Sequence, residues 1–272
     1  MVDVSSASTR TVNDSDTRLA RFEFRSGRNS AHMARTLMLS ELARLLEYVN
    51  SPVASREEYH RAILEDNCLG KRSGTTRKLD WKYLTLLYGL DPSMTLFRTM
   101  RWFWERDEEG RPLLALACAQ ARDPLLRASG PFILAIPEGQ IVTRQAMERF
   151  LESLEPHRFR RTTLSSTAKN LNSTWTQTGH VSGRAFKVRA RAQATAGSSA
   201  YALLLGYLQG LRGQLLFESD HMKLLDCSVD RTFEMAEYAA GRGWLSFKRI
   251  GNVRDVTFPG IRTPEEVEWG RE

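Results

Sequence analysis

Residues 55–90 read SREEYHRAILEDNCLGKRSGTTRKLDWKYLTLLYGL, and this stretch decides the fold. Ser55 is a helix N-cap, and Glu57 and Glu58 follow in the first turn, where the helix dipole favours acids. Tyr59, Ile63 and Leu64 carry that helix to a turn at Asn67-Cys68-Leu69-Gly70. A second helix is predicted from about Gly74 to Gly89. Leu79, Tyr83, Leu86, Leu87 and Leu90 form one face, with Lys71, Arg72, Arg77, Lys78 and Lys82 on or before the other. Helix, short turn and basic helix is the outline of a helix-turn-helix unit.

Working outward, Met33, Leu37, Leu42, Leu45, Leu46 and Val49 recur at helical spacing and predict one amphipathic helix, ended by Asn50-Ser51-Pro52. Residues 94–104, 112–126 and 143–154 read as three more helices, with Ser129-Gly130-Pro131 as a turn, and together as a small bundle. Ser165 or Ser166 caps a further helix carrying Leu164, Ala168, Leu171 and Trp175, stopped by Gly179. Residues 181–196 alternate loosely, which predicts a strand or hairpin with its basic side outward. A helix follows Gly197. Then come a short helix at 219–225, a helix capped by Ser228, and a hairpin around Gly251-Asn252, a winged-helix outline. The expected fold is mainly α: a helical bundle with a helix-turn-helix-like N-terminal part and a small winged-helix-like α+β C-terminal part. Its expected divisions are a disordered tail at 1–18, an N-terminal domain at 19–91, a bundle at 92–196 and a C-terminal domain at 197–272, frayed over the last dozen residues.

The chain has 272 residues, 42% of them hydrophobic, enough for a proper core. Its longest apolar runs fall far short of the roughly 20 residues of a bilayer-spanning helix. The first 18 residues are polar, with no apolar stretch of the kind a signal peptide carries, so a cytoplasmic location is expected. Cys68, Cys118 and Cys227 are odd in number and far apart, which argues against a disulfide framework or a structural zinc site. The five histidines show no pair at the i, i+4 spacing of a helical metal site, so neither a metal nor a cofactor is expected. Gly70-Lys71-Arg72-Ser73 invites a phosphate-loop reading. That pattern requires Gly where Glu65 stands and Ser or Thr where Arg72 stands, so it is set aside along with any enzymatic role.

Charge is more informative. The net charge of +7 comes from 39 Lys and Arg against 32 Asp and Glu. Residues 156–217 contain no Asp or Glu, yet hold Arg158, Arg160, Arg161, Lys169, Arg184, Lys187, Arg189, Arg191 and Arg212. That segment alone is +9, which leaves the rest of the chain at −2. An acid-free stretch of this length removes the repulsion that weakens phosphate binding, and it nominates Arg160, Arg161, Ser166, Thr167, Lys169, Asn170, Arg184, Lys187, Arg189 and Arg191. The first basic helix start nominates Lys71, Arg72, Ser73, Thr75, Thr76, Arg77 and Lys78, since backbone amides, hydroxyls and cations at a helix start suit a phosphate oxygen. The plainer readings are a solvated basic turn and a basic face that docks an acidic protein. The C-terminal outline lacks this character. Its would-be recognition helix carries Asp230, Glu234 and Glu237 beside only Arg231 and Arg242, and would be repelled by phosphates.

Two of these stretches carry a resemblance. Asn67-x-Leu69-x-Lys71-Arg72-Ser73-x-Thr75-Thr76-Arg77 before an amphipathic helix, and Leu164-Ser165-Ser166-Thr167-x-Lys169-Asn170-Leu171 leading to Trp175 and Gly179, resemble the signature stretches of the BrxA family of BREX bacteriophage-exclusion systems. The likeness covers roughly residues 20–180. It implies a mostly helical fold similar to the NusB bundle, non-catalytic binding of double-stranded DNA, and work beside a methyltransferase, an ATPase and a phosphatase-like protein. The expected function is therefore a sequence-tolerant DNA-binding component of an antiphage system. A winged-helix transcription regulator, an assembly adaptor and a NusB-like RNA binder stay open beside it.

Overall fold

A computed structural model of the protein describes residues 19–251 and 253–269. The expected tail at 1–18 and Asn252 of the expected turn lie outside them. After a 3-10 turn at Ala31–Met33 the first eight helices are α1 (Leu39–Tyr48), α2 (Arg56–Leu64), α3 (Gly74–Tyr88), α4 (Thr95–Trp104), α5 (Arg111–Arg122), α6 (Pro124–Leu134), α7 (Arg144–Leu154) and α8 (Arg161–Gln177). A hairpin follows, β1 (Val181–Ser182) with β2 (Val188–Arg189), pairing Val181 with Arg189. Then come α9 (Ala196–Leu208), α10 (Gln214–Phe217), α11 (Asp220–Lys223) and α12 (Val229–Gly241). A second antiparallel hairpin of β3 (Ser246–Ile250) and β4 (Val253–Thr257) precedes α13 (Pro264–Trp269). The molecule is mainly helical with a small antiparallel part.

The caps of the opening stretch form as their chemistry requires. Ser55 and Glu58 make a reciprocal capping box on α2, Ser73 caps α3 through the Thr76 amide, and Gly89 closes α3 at φ 89°. The connection between α2 and α3 spans residues 65–73, longer than the roughly 3–4 residues of a helix-turn-helix turn. The pair is therefore a packed helical hairpin whose loop carries Glu65 and Asp66 at one end and Lys71 and Arg72 at the other.

Asp123 explains two departures from the periodicity. Its buried carboxylate accepts from Ser30 Oγ at 2.7 Å and Ala31 N at 2.8 Å, and from the amides of Leu125 and Leu126 at 3.1 and 3.0 Å. It thereby caps α6 and splits the expected 112–126 helix. It also pins the 3-10 turn, so the first long helix begins at Leu39 and not at Met33. Burial works against that charge, but His32, with Nδ1 3.0 Å away, and the four donors hold the Asp123 carboxyl well below the usual carboxylate range. Ser129-Gly130-Pro131, expected as a turn, runs inside α6, where Gly130 faces Leu224 and Trp175. The helix expected to be capped by Ser165 or Ser166 has Arg160 at its N-cap position, five or six residues earlier.

The centre is α9. Each of its residues from Ala196 to Leu208 is buried, and it packs against α4, α5, α11 and α12. Its start is held from outside its own segment: Asp107 Oδ2 accepts from Gly197 N at 2.8 Å and from Thr195 Oγ1 at 2.5 Å. One buried apolar cluster extends from Phe22 to Ile261, so the expected boundary at 196/197 falls at the beginning of the helix that fills the core. Of the last dozen residues, expected to fray, 264–269 form α13, whose Glu266 is buried and forked by Arg98 at 2.5 and 2.7 Å, and 270–272 lie outside the described residues.

Candidate nucleic-acid interface

The α3 start is less free than its composition suggests. Lys71 Nζ lies 3.1 Å from Glu41 Oε1 and 3.4 Å from the buried Asp80 Oδ2. Burial opposes its charge, but those carboxylates win and push the Lys71 ammonium above its ordinary value. The lysine is a bridge between α1 and α3. Ser73 is spent as the α3 cap, and its hydroxyl also meets Thr76 Oγ1 at 2.9 Å. Arg72, Thr75 and Lys78 are exposed and Arg77 half-buried, and none of the three cations has an ion-pair partner among the described residues. Three of the four cations nominated here thus remain available.

The acid-free segment divides more sharply. Two nominations are corrected. Thr167 is fully buried, because α8 turns it inward with Ala168 and Leu171. Arg189 is 5% exposed, its guanidinium forked on Asp226 at 2.8 and 2.9 Å and bonded to the Ile133 and His180 carbonyls. It is a structural anchor, since removing such a charge from water requires an ion partner and filled hydrogen bonds. Asn170 donates to the His32 carbonyl at 3.0 Å and ties α8 to the 3-10 turn. Arg191 is exposed and 3.5 Å from Glu138. Arg160, Arg161, Ser166, Lys169 and Arg184 are exposed, and these four cations have no ion-pair partner among the described residues.

Of these, Lys169 lines a cleft, where Lys187 joins it. The β1–β2 hairpin is fastened at its base by backbone bonds to residues 139–142, with Val142 N donating to the Lys187 carbonyl at 2.8 Å and Arg189 N to the Gln140 carbonyl at 2.8 Å. Between hairpin, α8 and the start of α7 lies a cavity of about 290 Å³, lined by Lys169, Asn172, Arg144, Gln145, Phe186 and Lys187 among others. Three cations line it and no acid does. Lys187 Nζ donates to Thr176 Oγ1 at 2.5 Å, and burial pushes its ammonium below its ordinary value. Arg144 Nε pairs with Glu148 at 3.0 Å, on a side chain 52% exposed.

Composition does not nominate Arg144, which lies outside the acid-free window. A signal is present all the same: a cation at the first position of a helix, after the Thr143 N-cap, opposes the helix dipole and calls for another reason to be there. Phe186, 80% exposed at the hairpin tip, likewise escapes a reading by charge.

A larger cleft of about 550 Å³, lined by Arg127, Arg191 and Lys223 together with Asp220 and Asp226, is mixed in sign and has no such convergence. Among the described residues, no group of His, Cys, Asp or Glu side chains could hold a metal ion, and no helix is long and apolar enough to cross a membrane. Neither protein-family models nor curated proteins give a match to this chain.

Proposed function

We propose that this chain is a non-enzymatic, double-stranded DNA-binding component of an antiphage system of the BREX type, acting in the cytoplasm and holding duplex DNA through phosphate contacts. One observation carries the binding reading: three cations and no acid line a cleft whose wall residue Ala185 directly follows the exposed Arg184. Phosphate contact requires cations without competing carboxylates, and such contacts position a protein on a duplex without reading its sequence. The 3-10 turn packs against both α8 and α3, which supports Arg72, Arg77 and Lys78 as a second set of contacts on the same molecule. The defence setting, and partnership with a methyltransferase, an ATPase and a phosphatase-like protein, rest on the BrxA resemblance.

The test is a mobility shift of purified protein on unrelated duplexes across a salt series. Affinity should be similar for all sequences and fall steeply with salt; full retention at high salt, or no shift at all, refutes phosphate contact. An assembly-adaptor reading is favoured at one place only. Ile250 and Val253 stand 78% and 70% exposed at the tip of the second hairpin, an apolar surface suited to protein and not to phosphate.

A further inference from the structure

The cleft beside the first hairpin holds more than cations. Phe186 presents its ring to solvent on the cleft wall, and Ile141, also lining it, is 63% exposed. Two large apolar side chains left in water beside lysines form a surface that a flat apolar ligand would cover. Their backbone is fixed: Ile141 bridges Val188, and Gly183, at φ 92°, shapes a tip where a Cβ would collide with the Phe186 carbonyl oxygen. Deeper in the cleft, Asn172 is 2% exposed and its amide oxygen has no hydrogen-bond partner. A buried unsatisfied amide calls for an explanation, and a ligand edge carrying a donor supplies one.

Ring, amide and cations match the parts of a single nucleotide. The π-face of Phe186 suits base stacking, the Asn172 amide suits a base edge, and Lys169 and Arg144 suit the phosphate. The volume of about 290 Å³ is near the lower end of ligand pockets (roughly 300–1,000 Å³), which suits one nucleotide unit and excludes a duplex. We infer that the cleft bounded by Phe186, Asn172, Lys169 and Arg144 receives one unstacked nucleotide of a DNA strand, so that the protein favours DNA interrupted by unpaired bases over a continuous duplex. The inference rests on the DNA-binding reading above and adds a base pocket to it.

The experiment compares the full chain on a blunt 20-base-pair duplex and on the same duplex with a central two-nucleotide bulge, by fluorescence anisotropy at one salt concentration. The wild type should bind the bulged duplex about tenfold more tightly, as expected for one base stacked on an aromatic side chain. Phe186→Ala should lose that preference while blunt-duplex affinity stays within about threefold, and Phe186→Tyr should restore it. Because Phe186 is exposed, these variants leave the core untouched. Equal binding of both duplexes by the wild type, or a preference that survives in Phe186→Ala, overturns the base pocket and leaves phosphate contact standing. Failure to bind either duplex overturns the parent reading instead.

Discussion

The two hairpins of this protein each follow a helix and each expose an apolar tip, yet their surroundings differ in sign. The β1–β2 hairpin is two residues deep and lies beside Lys169, Lys187 and Arg144 with no acid in the cleft. The β3–β4 hairpin is five residues deep and has the better outline of a wing, but it follows α12, where Glu234 and Glu237 line a shallow groove and Arg231 is tied to Glu234 at 2.7 Å. Arg249 and Arg254 of that second hairpin lie over the Phe233 ring, 5.2 and 4.6 Å from its centroid. Outline and charge are therefore separable properties. A shape search selects the second hairpin, and the electrostatics of phosphate binding selects the first.

The hardest blow to that contrast is Asp226→Ala. It leaves the buried Arg189 charge unpaired and should cost roughly 3–5 kcal/mol in denaturant unfolding. Amide exchange should accelerate at the base of β1–β2 and remain slow in β3–β4. Equal loosening of both hairpins would show that they do not have separate anchors.

Acid should act on the same side. Burial pushes His180, and His221 with it, down to about 4. The histidines therefore stabilise the fold fully above about 6.5, and that contribution is lost as pH falls from about 6.5 through 4, on the order of 2 kcal/mol each at pH 5. Glu23, pushed up to about 7 by burial, runs the other way: it costs stability as pH rises from 4.5 to 7 and partly offsets the loss in the same window. Thermal unfolding across pH 4–7 measures the net decline. Since His180 Nε2 meets the Leu224 carbonyl at 2.9 Å and its own carbonyl binds Arg189, exchange at the first hairpin should quicken first.

Binding discriminates more finely. Lys169→Glu with Arg184→Glu should reduce duplex affinity on the order of tenfold and lower the salt slope by about 0.9 for each phosphate left without its cation, whereas Lys248→Glu on the second hairpin should change neither. A larger effect from Lys248 would reverse the comparison. The smallest expected effect concerns the α3 start. Ser73→Ala should remove about 1 kcal/mol of stability as a missing cap and leave duplex affinity within twofold, because that hydroxyl is already spent on the helix.

Much of this is legible in the chain, and what is not has identifiable causes. The caps at Ser55 and Ser73 and the stop at Gly89 are local chemistry, so α2 and α3 fall where their residues say. Thr167 is excluded by phase alone, standing three residues after Leu164 and four before Leu171 on the apolar stripe of α8. Arg189 is not. Period-two alternation puts Lys187, Arg189 and Arg191 on one side, and it is Asp226, far along the chain, that draws only Arg189 inward. Lys71 is hidden for the same reason, since its partners Glu41 and Asp80 belong to different helices. The cleft itself needs Arg144, Lys169 and Lys187 from three elements, a convergence that no single window of sequence contains.

The burial of α9 has a consequence for synthesis. The faces of α4 and α5 that it covers are complete by residue 122, while α9 ends at residue 208. At the roughly 5–20 residues per second of translation, those faces wait about 4–17 s for their cover. The nascent chain thus carries an open apolar surface through that interval, a substrate for holdase chaperones. Any fragment ending before residue 196 would carry the same surface permanently and should be recovered as aggregate.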